Sequence, residues 1–175
     1  MIEIKMASPD RVYLETVIFP YYNNILKPKI VLSVGVDWYT EMYQKYFSDS
    51  LYLTIDFNPE KNTHCANGFH LNANVQHLSA ENACDLIIFN GVYGYGISKT
   101  NEYNLTMKVL HRLLKPNGIL IFGYNNLSDF NPLAITPDSD FSPLEKTRGP
   151  EDLYSFETSH NKHTYVYLQK LLNTA

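Results

Sequence analysis

Short apolar runs alternate along this chain with longer stretches in which apolar positions recur every three or four residues. The first pattern predicts strands buried on both faces, the second helices with one buried face. Ile30–Val34 is an apolar run bounded by Pro28 and Gly35, and Leu51–Asp56 is a second strand-like run. Residues 69–73 predict a short third strand, 85–90 (DLIIFN) a buried fourth, and 119–122 a further strong one. Between them, Tyr39, Met42, Tyr43 and Tyr46 or Phe47 predict a helix over 39–47. Tyr103, Met107, Leu110 and Leu114 predict another over 101–114, closed by Lys115-Pro116-Asn117-Gly118, since proline cannot continue a helix and Asn-Gly favours a turn. Ahead of all these, residues 10–27 predict a helix with Pro9 just inside its start and Val12, Ile18, Tyr22 and Ile25 on one stripe. Pro20 interrupts it, so two short helices or one kinked helix are expected.

Strand and helix in alternation predict a parallel sheet joined by right-handed crossovers, with helices on both faces. The last third differs. Residues 125–150 hold Pro132, Pro137, Pro143 and Pro150 among many Asn, Ser and Asp, the composition of a long loop or lid. Residues 153–157 and 163–170 then alternate as strands around the turn-like TSHN, predicting an antiparallel hairpin. The expected fold is therefore α/β, a Rossmann-like three-layer sandwich with a mostly parallel sheet and a C-terminal antiparallel hairpin. It reads as a single domain over 1–175: a helical segment at 1–28, a core at 29–124, the lid loop at 125–150 and the hairpin at 151–175.

A length of 175 residues, 45% hydrophobic and 18% charged, suits one domain with one core. No apolar run approaches the roughly 20 residues of a membrane span, and the N-terminus shows no signal-peptide segment. A cytoplasmic protein without a membrane partner is expected. The net charge of −4 argues against nucleic acid. Cys65 and Cys84 form no CxxC pair and, with His64 and His70, fit no zinc pattern, so two free thiols and no metal are expected.

The chemistry is concentrated at two strand ends. Gly35 closes the first strand, where a missing side chain lets a ligand approach the backbone. Asp56 closes the second strand about 20 residues further on, the length of one strand–helix–strand unit, and a carboxylate there accepts both hydroxyls of a ribose. Together they read as a nucleoside site at the C-terminal edge of the sheet.

The local sequences resemble the class I S-adenosylmethionine-dependent methyltransferase superfamily. VLSVGVDWYT is similar to its first motif, LTIDFNP to its second, LNANVQHL to the segment that contacts adenine, and VLHRLLKPNGILIFGY to its last helix, turn and fifth strand. The likeness covers about residues 28–125. It implies S-adenosyl-L-methionine as cofactor, held by Gly35, Asp37, Asp56, Phe57, Asn74, Val75 and Asn90, and a small-molecule acceptor. The chain departs from the pattern where Ser33 replaces the first motif's acid and Asp37 and Tyr39 replace its later glycines. Asp37 is then either a contact for the methionine ammonium or a cap of the helix beyond it.

Methyl transfer is an in-line displacement that depends mainly on placing the nucleophile. Candidate catalytic groups therefore lie where an acceptor reaches the cofactor: Tyr93 and Tyr95 after the fourth strand, and His163 at the hairpin. Tyr95, Tyr124, Asn125 and Asp129 are the candidate acceptor-binding residues. Against this enzyme stands a protein that kept the fold, lost catalysis and binds a nucleoside metabolite or a protein partner. A homodimer is left open.

Overall fold

The computed structural model describes residues 2–66, 69–126, 132, 144–159 and 162–172. Its elements are α1 (Pro9–Tyr13), a π-helical turn (Leu14–Ile18), α2 (Phe19–Leu26), β1 (Ile30–Val34), β2 (Leu51–Asp56), β3 (His70–Asn72), β4 (Cys84–Asn90), α3 (Thr100–Leu113), β5 (Leu114–Asn125), β6 (Glu145–Lys146), β7 (Ser155–Glu157) and β8 (His163–Gln169). The sheet order is β3-β2-β1-β4-β5-β8-β6, with β7 also on β8. The first five strands pair in parallel, and β8 runs antiparallel to β5, β6 and β7. Class, the mostly parallel pairing and the C-terminal antiparallel strands agree with the sequence pattern. Part of the expected lid loop is a strand, β6. Among the described residues, no helix is long and apolar enough to cross a membrane.

Strand alternation divides the core in two. Leu86 and Ile88 of β4, Ile119 and Ile121 of β5, and Tyr165 and Tyr167 of β8 face α1 and α2. Ile87, Phe89, Leu120, Phe122, Val166 and Leu168 face α3. Side chains one residue apart serve opposite layers, as the pleat requires.

The helical layers are thinner than the apolar pattern predicts. Two 3-10 turns, Trp38–Thr40 and Tyr43–Phe47, replace the helix expected over 39–47. They hold Tyr43, Tyr46 and Phe47 around one ring, Phe19, with centroids at 4.8, 5.4 and 5.3 Å. Aromatic residues are only modest helix formers, and here tertiary packing sets the winding.

The N-terminal segment is two short helices, as expected from Pro20, joined by a π-turn. It runs from Pro9 to Leu26 through a π-turn just before Pro20, in which the Phe19 N–H reaches back to the Leu14 carbonyl. Pro20 has no N–H to donate, and the wider turn is where the ladder gives way. Its buried positions recur in steps of four: Asp10 and Arg11, Leu14 and Glu15, Ile18 and Phe19, then Tyr22. Ile25, expected on the buried stripe, is 56% exposed.

At the opposite edge of the sheet, Asp85 holds the entry to β1. Its Oδ2 accepts the Lys29 and Ile30 N–H groups at 2.9 and 2.8 Å, and its Oδ1 receives the Lys115 ammonium at 2.8 Å. Partial burial pushes this carboxyl up, but Lys115 and the two N–H groups outweigh it and hold it below its usual range. A folded-state pKa below the unfolded one gives stability that is full above the ordinary carboxylate range and is lost as pH falls through the depressed value. Replacing Asp85 by Ala is expected to cost about 1–3 kcal/mol at pH 7. Urea unfolding of both proteins should show that gap shrinking once the pH drops below about 4.

Candidate active site

At the C-terminal edge of the sheet, β1 ends in Gly35 at φ +82, and a Cβ there would lie 3.1 Å from Val92 Cγ2. The Gly35 N–H donates to the Ile55 carbonyl at 2.8 Å, the last rung between β1 and β2. Asp56 takes over beyond it. Its Oδ2 accepts the Val36 N–H at 3.0 Å and its Oδ1 the Asn58 N–H at 2.8 Å. A carboxylate offers about four lone-pair positions, so this clasp leaves room for two ligand hydroxyls.

Asp37 follows in extended backbone and caps the turn Trp38–Thr40: Oδ1 accepts the Trp38 N–H at 2.8 Å, and the Asp37 N–H donates to Thr40 Oγ1 at 3.0 Å. Its Oδ2 receives the Lys61 ammonium at 2.6 Å. Burial raises this carboxyl, but Lys61 and the Trp38 N–H more than offset that and keep it low. Of the two roles open to Asp37 in the sequence, capping is the one these contacts display.

Two cavities meet over Gly35 and Asp56. The smaller is a slot of about 190 Å³ with Ile55, Val75, Val92 and Ile97 on its walls and Phe57, 64% exposed, at its mouth. Asn74 sits at its rim, where its Oδ1 accepts the Gln76 N–H at 2.9 Å and caps the turn Val75–His77. The larger is a chamber of about 510 Å³ that runs from the Gly35 turn to the tips of β4, β5 and β8. Asp10, Arg11, Tyr39 and Lys61 line one side of it, and Asn90, Asn125, His163 and Tyr95 the other.

His163 is 3% exposed, and both ring nitrogens meet amides: Nδ1 lies 2.6 Å from Asn125 Oδ1 and Nε2 2.8 Å from Asn90 Oδ1. Burial is the main cause that pushes this imidazole down to about 4; Asp10 opposes the shift and Arg11 adds to it. The ring is neutral at pH 7 and donates from one nitrogen only. Asn125 Nδ2 already donates to the Tyr95 hydroxyl at 3.1 Å, whereas Asn90 Nδ2 is buried without a partner among the described residues. A half-turn of the Asn90 amide therefore satisfies the row: its NH2 donates to Nε2, and Nδ1–H donates to Asn125. Gly123 makes this possible, because a Cβ there would lie 1.9 Å from Asn90 Oδ1 and 2.8 Å from His163 Nε2.

Of the residues singled out in the sequence, Gly35, Asp37, Asp56, Phe57, Asn74, Val75, Asn90, Tyr95, Asn125 and His163 all line the joined cleft. Tyr93 and Tyr124 do not. Tyr93 is held in the core, edge-on to Tyr103 at 5.6 Å, because its bridge to Ile97 turns Tyr95 outward instead. Tyr124 packs on Phe122 at 5.1 Å, on the α3 side, while Gly123 lies against Asn90 and His163. Asp129 lies outside the described residues, as does most of 125–150. The sequence reading missed Asp10, Arg11, Tyr39 and Lys61 as cleft residues. The signal for the first two was the four-residue recurrence of Asp10-Arg11 with Leu14-Glu15 and Ile18-Phe19. Among the described residues, no group of three or more His, Cys, Asp or Glu side chains is placed to hold a metal.

No protein-family model matches the chain, and no curated protein sequence does. Solved structures do. The N-methyltransferase NodS from Bradyrhizobium japonicum superposes with a TM-score of 0.58 at 13% identity, covering 93% of this chain and 92% of that one. A TehB-like SAM-dependent methyltransferase from Corynebacterium glutamicum gives 0.59 at 14%, covering 81% and 80%. The 1,6-didemethyltoxoflavin-N1-methyltransferase of Burkholderia thailandensis, solved with 1,6-didemethyltoxoflavin and S-adenosylhomocysteine, gives 0.55 at 12%, covering 87% and 75%. At these identities the likeness is one of fold: the sheet and its crossovers are those of Rossmann-like methyltransferases.

Replacing Gly123 by Ala is expected to force Asn90 and His163 apart and to cost about 1–3 kcal/mol, the usual range for overpacking. Chemical denaturation measures the cost, and the ring-nitrogen resonances of His163 should move in the folded variant. A variant as stable as the parent with an unmoved His163 would remove the constraint assigned to Gly123.

Proposed function

We propose that this protein binds S-adenosyl-L-methionine and transfers its methyl group to a small-molecule acceptor. The observation that carries the proposal is the meeting of an apolar slot and a polar chamber over Gly35 and Asp56, on this fold. The slot suits a purine between aliphatic side chains, with Asn74 and Val75 at its edge and Phe57 over its mouth. Asp56 suits the ribose hydroxyls. The chamber then receives the amino-acid end of the cofactor near Gly35 and Asp37, and the acceptor beyond it. Its volume lies in the range of small-molecule sites.

Charge agrees with this assignment. Among the described residues that line the chamber, Lys61 pairs with Asp37 and Arg11 faces Asp10, and Asp56 is the carboxylate without an ion pair. A zwitterion that also bears a sulfonium has a net charge of the opposite sign.

The enzyme's part in the transfer is placement. His163, Asn90, Asn125 and Tyr95 form the acceptor-side wall, and no formal charge sits on it at neutral pH. A neutral His163 whose pKa is near 4 is a weak proton acceptor. This favours a nucleophile that attacks in its neutral form and releases its proton afterwards, with His163 orienting the amides and Tyr95 closing the wall.

One observation favours the second reading, a binder without turnover. Where the first motif's later glycines would leave open backbone, Asp37 is tied to Lys61 and Tyr39 lies under Arg11. The two readings separate on turnover, tested with radiolabelled methyl donor against pooled small-molecule extracts.

Titration calorimetry of ligand-free protein with S-adenosylmethionine and S-adenosylhomocysteine is expected to show micromolar binding. Asp56→Ala should weaken it ten- to more than a hundredfold, the equivalent of about 1.5–3 kcal/mol for hydrogen bonds to a charged group. Unchanged affinity in a folded variant would sink the ribose assignment, and no binding by the folded parent would sink the cofactor itself.

A further inference from the structure

Arg11 is a buried cation with spare donors on the wall of the chamber. It is 7% exposed and sits in the first turn of the N-terminal helix. Its Nη1 donates to the Tyr43 hydroxyl at 2.5 Å, its guanidinium lies over the Tyr39 ring at 4.4 Å, and its Nε is 3.8 Å from Asp10 Oδ2, beyond hydrogen-bonding distance. Among the described residues, Tyr43 is the one acceptor that takes a hydrogen bond from it. A guanidinium has five N–H donors, so most are unused. None of its nitrogens is among the sealed polar atoms that lack a partner, and the side chain lines the chamber, so the unused donors open onto it. Nη2 reaches the tip of β4, where a Cβ on Gly91 would lie 3.5 Å from it.

We propose that Arg11 is a receptor for a carboxylate in this chamber, an inference that rests on the methyltransferase reading above. The planar fork matches a carboxylate in bidentate geometry. Tyr39 and Tyr43 hold that fork before any ligand arrives, which lowers the cost of binding. A carboxylate fits better than a phosphate. The other cation of the chamber, Lys61, is committed to Asp37, and Asp10 already offsets part of the charge of Arg11, so the wall can match at most one further negative charge and not two. That carboxylate belongs either to the amino-acid end of the cofactor or to an acidic acceptor, because Arg11 sits between the Gly35 turn, through Tyr39, and the β4 tip, through Gly91.

Three probes tell these sources apart. S-Adenosylhomocysteine carries the carboxylate, 5′-methylthioadenosine is the same nucleoside thioether without it, and acetate is the carboxylate alone. Calorimetry with the parent, Arg11→Gln and Arg11→Lys is paired with nuclear magnetic resonance of the Arg11 Nε–H, assigned as the signal missing from Arg11→Gln. If the carboxylate is the cofactor's, Arg11→Gln weakens S-adenosylhomocysteine ten- to a hundredfold and leaves 5′-methylthioadenosine unchanged. Arg11→Lys, the variant to use should the Gln form not fold, also loses affinity because it lacks the fork. If the carboxylate is the acceptor's, both nucleosides bind the variants normally, and acetate shifts the Arg11 signal of the S-adenosylhomocysteine complex while equal sodium chloride does not. Normal nucleoside binding by the variants with no acetate shift overturns the proposal. Should neither nucleoside bind the folded parent, the cofactor reading fails separately. Acetate added to the free protein then decides for or against the carboxylate site.

Discussion

The structure turns on how the central strand ends. β1 lies between β2 and β4, so its C-terminal tip must leave the sheet through a gap between two neighbours, and it does so at a positive φ that only glycine adopts without strain. The ladder stops at the Gly35-to-Ile55 rung, and the next N–H groups of both strands' exits would be left without partners. Asp56 takes one from each exit, Val36 and Asn58. This one carboxylate therefore ties the turn after β1 to the turn after β2 and fixes the ridge over which slot and chamber meet. Residues on either side inherit their places from it: Asp37 and Lys61 on the chamber side, Phe57 and the Val75 turn on the slot side.

The second wall of the chamber depends on aromatic packing far from the ridge. Tyr22, Tyr43, Tyr165 and Tyr167 are almost wholly buried between the N-terminal helix and the sheet, and burial raises the pKa of each hydroxyl. Rings of this size bury much apolar area, and two of the four hydroxyls reach polar partners. The Tyr165 hydroxyl donates to the Asp10 carbonyl at 3.0 Å, and the Tyr43 hydroxyl receives Arg11. The tyrosine layer thus sets the height and rotation of the helix, and the π-turn before Pro20 keeps its buried positions in step. Asp10 and Arg11 reach the chamber as a result.

Much of the fold was legible because its signals are local. The apolar runs of β1, β2 and β4, the end of α3 ahead of Lys115-Pro116 and the alternation in β8 each follow from a few neighbouring residues, and the right-handed parallel crossovers follow from connection rules; the turn expected over 115–118 is instead taken up in β5. Asp56 and Gly35 were legible for the same reason, since each stands at the end of a strand. Two kinds of residue were not. Arg11 and Asp10 are charged residues that the apolar stripe leaves out, and the packing of distant Tyr39, Tyr43 and Tyr165 puts them inside. Tyr93 and Tyr124 read as ligand-facing because they neighbour strand tips, yet one bridge to Ile97 and one step of the pleat turn them into the core. The helix expected over 39–47 failed because three of its rings close on Phe19, a contact that no period in that segment records.

The cleft is also divided by charge, and the division bears on the proposed reaction. Its Gly35 side carries Asp10 with Arg11, Asp37 with Lys61, and Asp56, whereas the tips of β4, β5 and β8 present two amides, a neutral imidazole and a phenol. Methyl transfer from a sulfonium discharges the sulfur as the new bond forms. A fixed cation on the acceptor side would oppose the approach of the sulfonium, and a fixed anion there would hold the charged reactant back. A wall of neutral dipoles does neither and still orients an acceptor, provided the dipoles are held before it arrives. Gly123 supplies that condition: the absent Cβ lets Asn90 and His163 lock together, and the lock keeps His163 buried and uncharged. The charged groups meanwhile lie where a zwitterionic cofactor end or an acidic acceptor would need them. The same economy explains how a chain without glycines at 37 and 39 still joins slot and chamber: the glycines that matter here are those at the strand tips, Gly35 and Gly123, where a side chain would press on a neighbour that lines the cleft.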